Sequence, residues 1–454
     1  MTSRLWLFVA MFGLVATACA STVTETADPE GDASGSSTTA SPAVVDEGGD
    51  DEGEDAPTTT VISGPTTTFV PALEGPFDLT GGAVSGTNEA AVIVDADGAS
   101  NRSAVLQQLS WPTDWTRRTV QDWDEFLAGL GGSDPRDGIP PLDNPVFESV
   151  ALAGQWLGPR EPGALVQFEG EARFYPLSIL TRHEIVNDAF GDVPVAVTFC
   201  PLCNTALTFD RRVDGEVLRF GVSGLLRNSD LVMWDDQTTS LWQQITGEGV
   251  VGQYAGSQLD IIPTSIVSFE QFVEGFPDGK SLAAESGFGR TSYGVNPYQG
   301  YSSSSNPFLF NGEIDDRLPA LSRVVGVDLG GETKAYPFGT LSDVAVVNDT
   351  IGDVPVVVLW GGETADALDQ SVIGISEAIG TALALDPVVD DQRLTFEAAE
   401  GDTFVDAETG STWTVLGLAT DGPLAGTQLD TVVHRNEFWF AWQAFFGADN
   451  VYEG

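Results

Sequence analysis

Cys200-Pro201-Leu202-Cys203-Asn204 is the sharpest chemical motif in the chain. Two thiolates at this spacing can hold a soft or borderline metal ion, exchange with disulfides, or close a small disulfide themselves. The flanking sequence separates these options. Residues 193–199 are an apolar run that reads as a strand, and 204–222 reads as a hairpin rather than a helix. A redox motif normally opens a helix, where the dipole lowers the thiol pKa. A strand–turn–strand setting instead suits a metal knuckle, in which the residue after the second cysteine enters the left-handed region. Asn204 is of a type that tolerates this conformation. The leading expectation is one bound metal ion (zinc, copper or iron), with Cys200 and Cys203 as thiolate ligands. A thiol–disulfide oxidoreductase using the same pair, and a non-catalytic binding module with a structural disulfide, are the alternatives.

His183 is the candidate third ligand, in Arg182-His183-Glu184-Ile185-Val186-Asn187-Asp188. Its alternative role is that of an imidazole favoured by the C-terminal end of a short helix. Glu184, Asp188 or Asp210 would supply a fourth ligand or orient the imidazole. Arg227, with Asn228 and Asp230, forms a candidate anion-binding set, because a guanidinium can grip an anionic group bidentately. A plain ion pair to a nearby acidic residue is the competing reading. His434 precedes an aromatic run and reads as core or cap. Tyr293, Tyr298 and Tyr301 line a groove or cover one side of the fold.

Composition narrows the field. The 454 residues carry 67 acidic and 19 basic side chains, a formal net charge of −48. That balance argues against nucleic acid as a partner, since such binding needs clustered Lys and Arg. Three cysteines are too few for a disulfide framework, and two histidines exclude a three-imidazole zinc centre. No phosphate loop, nucleophile elbow or H-E-x-x-H motif occurs.

The N-terminus reads as a targeting segment. Arg4 precedes an apolar run over 5–15, which is too short to span a bilayer, and Ala16-Thr17-Ala18-Cys19 follows. Small residues before a cysteine resemble a bacterial lipobox, with Ala16 where leucine is usual. The expectation is a signal peptide over 1–19, lipidation of Cys19, and an exported protein anchored to the membrane on its extracytoplasmic side. Residues 20–72 are an acidic Thr/Ser/Gly-rich tether with too little apolar surface to fold. Residues 73–133 are a partly ordered lead-in, and 134–452 form the folded domain.

That domain contains an internal repeat. Tyr175-Pro176 matches Tyr336-Pro337, Asn187-Asp188 matches Asn348-Asp349, and Gly191-Asp192-Val193-Pro194-Val195 matches Gly352-Asp353-Val354-Pro355-Val356. Ser240-Leu241-Trp242 faces Ser411-Thr412-Trp413. The expected fold is α+β, predominantly β: a tandem duplication giving a pseudo-symmetric body. Its units run over 162–282 and 321–452, joined by a connector over 283–320. Strands are expected at 164–168, 193–199, 324–327 and 354–360, and a hairpin around Asp214-Gly215 between 206–212 and 217–222. Helices are expected over 269–276 and 436–446. Residues in one unit only are the better candidates for chemistry. The second unit has Val344, Gly361 and Thr364 where the first has His183, Cys200 and Cys203.

The stretch from Tyr175 to Arg211 and the segment from Ser223 to Gln244 resemble the bacterial family known as domain of unknown function 3179. So do the entry segment from Asp137 to Phe147, the connector Asp315-Asp316-Arg317-Leu318-Pro319, and Phe438-Trp439-Phe440-Ala441-Trp442. The likeness covers about 134–452. It implies a domain and its boundaries rather than a reaction. Asn204 stands where the family usually has glycine, and Trp234 where tyrosine is common. The partners expected are the membrane, through the lipid anchor, and an unidentified small molecule or envelope protein.

Overall fold

The computed structural model describes residues 88–454. The signal peptide, Cys19, the tether and the first part of the lead-in lie outside the described residues. The described chain is predominantly β, built from several small sheets with short helices between them. No helix among the described residues is long and apolar enough to cross a membrane.

Local chemistry explains the opening of the segment that begins at Pro162. Pro162–Phe168 pairs antiparallel with Glu171–Pro176. Pro176 has no amide hydrogen to continue that ladder, so the strand stops there and the helix Leu177–His183 begins. Glu184, at φ 58°, ends the helix in the left-handed region. The chain then turns into Ile185–Phe190, Val193–Cys200 and Thr205–Asp210, neighbouring strands of one four-stranded sheet. The same order recurs as Arg323–Leu329, Glu332–Pro337, helix Phe338–Val344, Val346–Ile351, Val354–Gly361 and Thr381–Leu385. Ala345, at φ 59°, ends that helix in the same way.

Buried polar contacts recur too. Tyr175 donates its hydroxyl to Asp188 Oδ2 at 2.6 Å, and Tyr336 donates to Asp349 Oδ2 at 2.9 Å. Trp242 Nε1 donates to Asp235 Oδ2, and Trp413 Nε1 to Asp406 Oδ2, both at 2.9 Å. These shared residues are therefore scaffold. Trp242→Ala removes a fully buried ring and leaves the Asp235 carboxylate short of a donor. The expected cost is about 3–5 kcal/mol, read as a lower midpoint in urea unfolding.

Two expectations need correction. The Asp214-Gly215 turn forms, with both residues at positive φ, but its hairpin is only Arg212–Val213 against Glu216–Val217. The longer strands on either side leave for different sheets: Thr205–Asp210 for the four-stranded one and Phe220–Arg227 for a seven-stranded one. The turn chemistry was local, whereas strand pairing followed burial on both flanks. Secondly, His434–Phe438 is a strand paired with Arg323–Leu329, and the helix starts only at Trp439. Tertiary pairing overrides the helical reading of 436–438.

The lead-in is part of the fold from residue 88 onward. Ile93–Val94 and Arg117–Arg118 border one edge of the seven-stranded sheet, and Phe126–Ala128 the other. Trp111, Trp115, Trp123 and Phe126 pack against Leu225, Val232 and Trp234 to form a separate core. Another core joins residues far apart in the chain, with Leu165, Phe174 and Phe272 against Val357, Leu359 and Trp413.

Candidate metal centre

The knuckle sits at the turn between Val193–Cys200 and Thr205–Asp210, whose last pair is Cys200 opposite Thr205. Asn204 takes φ 58°, the left-handed value expected of it. Its side chain is employed as well: Nδ2 donates to Asn436 O at 3.2 Å. Phe438 N donates to Cys203 O at 2.9 Å. The strand His434–Phe438 therefore latches the back of the knuckle. Both cysteines are free thiols, 2% and 0% exposed.

A third group reaches them from a neighbouring hairpin. Phe220–Arg227 and Asp230–Asp235 are joined by Asn228 and Ser229, at φ 51° and 65°. Two successive left-handed residues make the tight turn whose twist matches antiparallel strands. This turn brings Ser229 O to 3.9 Å from Cys200 Sγ, and Asp230 follows directly. The two sulfur atoms and an Asp230 carboxylate oxygen all lie within 4.8 Å of one another.

Asp230 is held by one oxygen only. Its Oδ2 accepts from Gln243 Nε2 at 2.6 Å and from Ile245 N at 3.0 Å. Its Oδ1 is buried and has no hydrogen-bond partner. Such an oxygen carries a desolvation cost of about 1–3 kcal/mol. Gln243 is itself oriented, because its Oε1 accepts from Arg227 Nη1 at 3.2 Å, and Arg227 Nε pairs with Glu125 at 2.8 Å. Arg227 thus sits in a chain from the lead-in to Asp230, as the ion-pair reading allowed, and is not a free anion-binding group. Asn228 serves as a turn residue.

Burial dominates the electrostatics. It lifts the Asp230 carboxyl to about 6, against the opposing pull of Gln243, the Ile245 amide and the two thiols. Burial also raises the Cys200 thiol, and raises the Cys203 thiol further. A redox-active thiol needs the opposite shift. A buried divalent cation would reverse the balance, since bound thiols are deprotonated outright.

The structure does not bring His183 into this group. Its Nδ1 lies 2.6 Å from Pro140 O and its Nε2 2.7 Å from the Tyr293 hydroxyl, and Phe288 stacks on the ring. Both nitrogens are engaged, so Asp230 replaces His183 as the third member. Of the proposed fourth groups, Asp188 is bound by Arg173 and Tyr175, and Asp210 by Arg212. Glu184 is closer to the thiols electrostatically; it accepts from the Tyr298 hydroxyl at 3.0 Å, and burial raises it to about 7. His434 is core, with Nδ1 at 2.8 Å from Val432 O.

Two connector tyrosines bind beside the knuckle, and the third holds His183. Tyr293 holds His183, Tyr298 holds Glu184, and the Tyr301 hydroxyl donates to Leu202 O at 3.0 Å. Ser229 also donates its hydroxyl to Phe308 O in the connector. Glu437 escaped the sequence reading altogether. It is fully buried beside the knuckle and lifted to about 8, chiefly by desolvation.

The model of the family described as "Protein of unknown function (DUF3179)" matches residues 136–449, and the chain belongs to that family. The match takes in the knuckle, Asp230 and Glu437 but leaves Glu125 outside. No curated protein and no solved structure matches the chain.

Proposed function

We propose that the protein binds one metal ion through Cys200, Cys203 and Asp230. The observation that carries this reading is the Asp230 carboxylate: one of its oxygens is grouped with two free thiols, and its Oδ1 is buried without a hydrogen-bond partner. A cation would satisfy that oxygen and draw the protons from both thiols. A carboxylate beside two thiolates suits zinc or ferrous iron better than Cu(I), which favours soft ligands throughout. The test is metal per protein by elemental analysis of the full chain, purified reduced and without air. About one equivalent of zinc or iron is expected, as for a single knuckle-type site. Metal-free protein that also fails to take up added zinc would overturn the reading.

The wider setting is part of the same proposal. The hydrophobic start and Ala18-Cys19 support an exported protein anchored through a lipid at Cys19. The recurring element order and the paired Tyr–Asp and Trp–Asp contacts support a tandem duplication whose second copy lacks both knuckle cysteines. Thiol–disulfide exchange is the weaker reading, because two buried thiols with raised pKa values make poor nucleophiles. A small molecule or an envelope protein is the partner such an anchored domain would meet.

A further inference from the structure

We infer that Glu437, from the second repeat, is the fourth ligand, making the centre a closed site of two sulfurs and two oxygens. This rests on the metal reading above. Cys200, Cys203 and Asp230 are 2%, 0% and 0% exposed, so bulk solvent does not reach the site. Zinc and its near relatives prefer four ligands in a structural site, and the enclosure favours a fourth from the protein.

Glu437 lies outside the 4.8 Å group but has spare coordinating capacity beside it. It is fully buried and its Oε1 has no hydrogen-bond partner. Its Oε2 accepts from Thr205 Oγ1 at a long 3.4 Å. The same hydroxyl lies 3.4 Å from Cys203 O, so Thr205 stands between Glu437 and the knuckle. The flanking residues Asn436 and Phe438 are the two that latch onto Asn204 and Cys203. The carboxylate is near enough to interact electrostatically with both Cys203 and Asp230. Arg435, buried two residues away, places positive charge beside it. Glu184 is the competing carboxylate, but the Tyr298 hydroxyl already binds it. Ligation requires the Glu437 side chain to turn past Thr205, giving up its long hydrogen bond to that hydroxyl.

The consequence is functional. A four-ligand centre without a water position retains its ion rather than presenting it to a substrate. Metal binding would also fasten the strand His434–Phe438 to the turn that carries the cysteines.

Cobalt(II) is the probe, because its visible ligand-field bands report coordination number and donor type. The full-length reduced apoprotein is titrated with Co(II), then the ion is competed off with zinc. The wild type is expected to give the intense bands of a four-coordinate sulfur-containing site. Glu437→Gln should shift those bands and weaken affinity by about tenfold or more, at least the loss typical of an outer-sphere change. Glu184→Gln should leave the bands in place. If Glu437→Gln folds poorly, Glu437→Asp keeps the charge on a shorter arm and should still shift the spectrum. Wild-type bands and affinity in the Glu437 variants would overturn the fourth-ligand assignment while leaving the three-residue site intact. A wild-type protein that takes up neither cobalt nor zinc would overturn the metal reading itself.

Discussion

Cys203→Ser is expected to abolish stoichiometric metal binding and, with it, the stabilisation that metal confers. Cys203 is fully buried, and its sulfur is one corner of the 4.8 Å group. A serine hydroxyl stays protonated at neutral pH and is a poor ligand, so the variant keeps the shape and loses the charge. Asp230 Oδ1 would remain without a partner. Binding to the folded state alone stabilises it by RT ln(1 + [L]/Kd), about 2.7 kcal/mol when free metal is one hundred times Kd. The wild type should therefore unfold at higher urea with added zinc than with a chelator. The variant should unfold at one concentration under both conditions and return almost no metal on elemental analysis. Equal metal content in variant and wild type would show that the ion is held elsewhere.

The metal-free protein is expected to lose stability as pH rises from about 6.5 to 8. Glu437 and Glu184 are lifted from 4.5 to about 8 and about 7, chiefly by desolvation. The folded state therefore holds protons that the unfolded chain has already released. Stability falls wherever the folded state binds more protons, so both carboxyls destabilise the fold as pH climbs through this window. His434 works in the opposite sense at lower pH. Burial lowers it from 6.5 to about 4, so it is neutral in the fold while the unfolded chain is protonated, and stability falls as pH drops from about 6.5 to 4. The two trends overlap below 6.5, and above it the carboxyls act alone. At about 1.4 kcal/mol per pKa unit, Glu437 should account for about 1–2 kcal/mol of loss between pH 6.5 and 8. Urea midpoints of chelator-treated protein across that range provide the check. Glu437→Gln should flatten most of the slope. A wild-type profile that is level or rising would sink the prediction.

The sequence by itself determined what depends on a few adjacent residues. The knuckle was legible because an apolar run stops at a cysteine and Asn204 tolerates positive φ. The Asp214-Gly215 turn and the helix stop near His183 were legible for the same kind of reason. Comparing the two similar stretches of sequence also separated scaffold from site: Tyr175, Asp188 and Trp242 support the fold, whereas Cys200 and Cys203 have no counterparts in the later stretch. The family membership was visible from the same segments. Only the tertiary structure decided which groups meet the thiols. Asp230 arrives on a strand of a different sheet, and Glu437 on a strand from the far end of the chain. No local pattern encodes either approach, because both follow from how separate sheets share buried surface. His183 shows the converse: it lies close to the cysteines in the sequence, but Pro140 and Tyr293 claim both its nitrogens. Turn conformations are set by the backbone preferences of single residues, whereas a ligand set is set by packing between elements that the chain brings together only once it has folded.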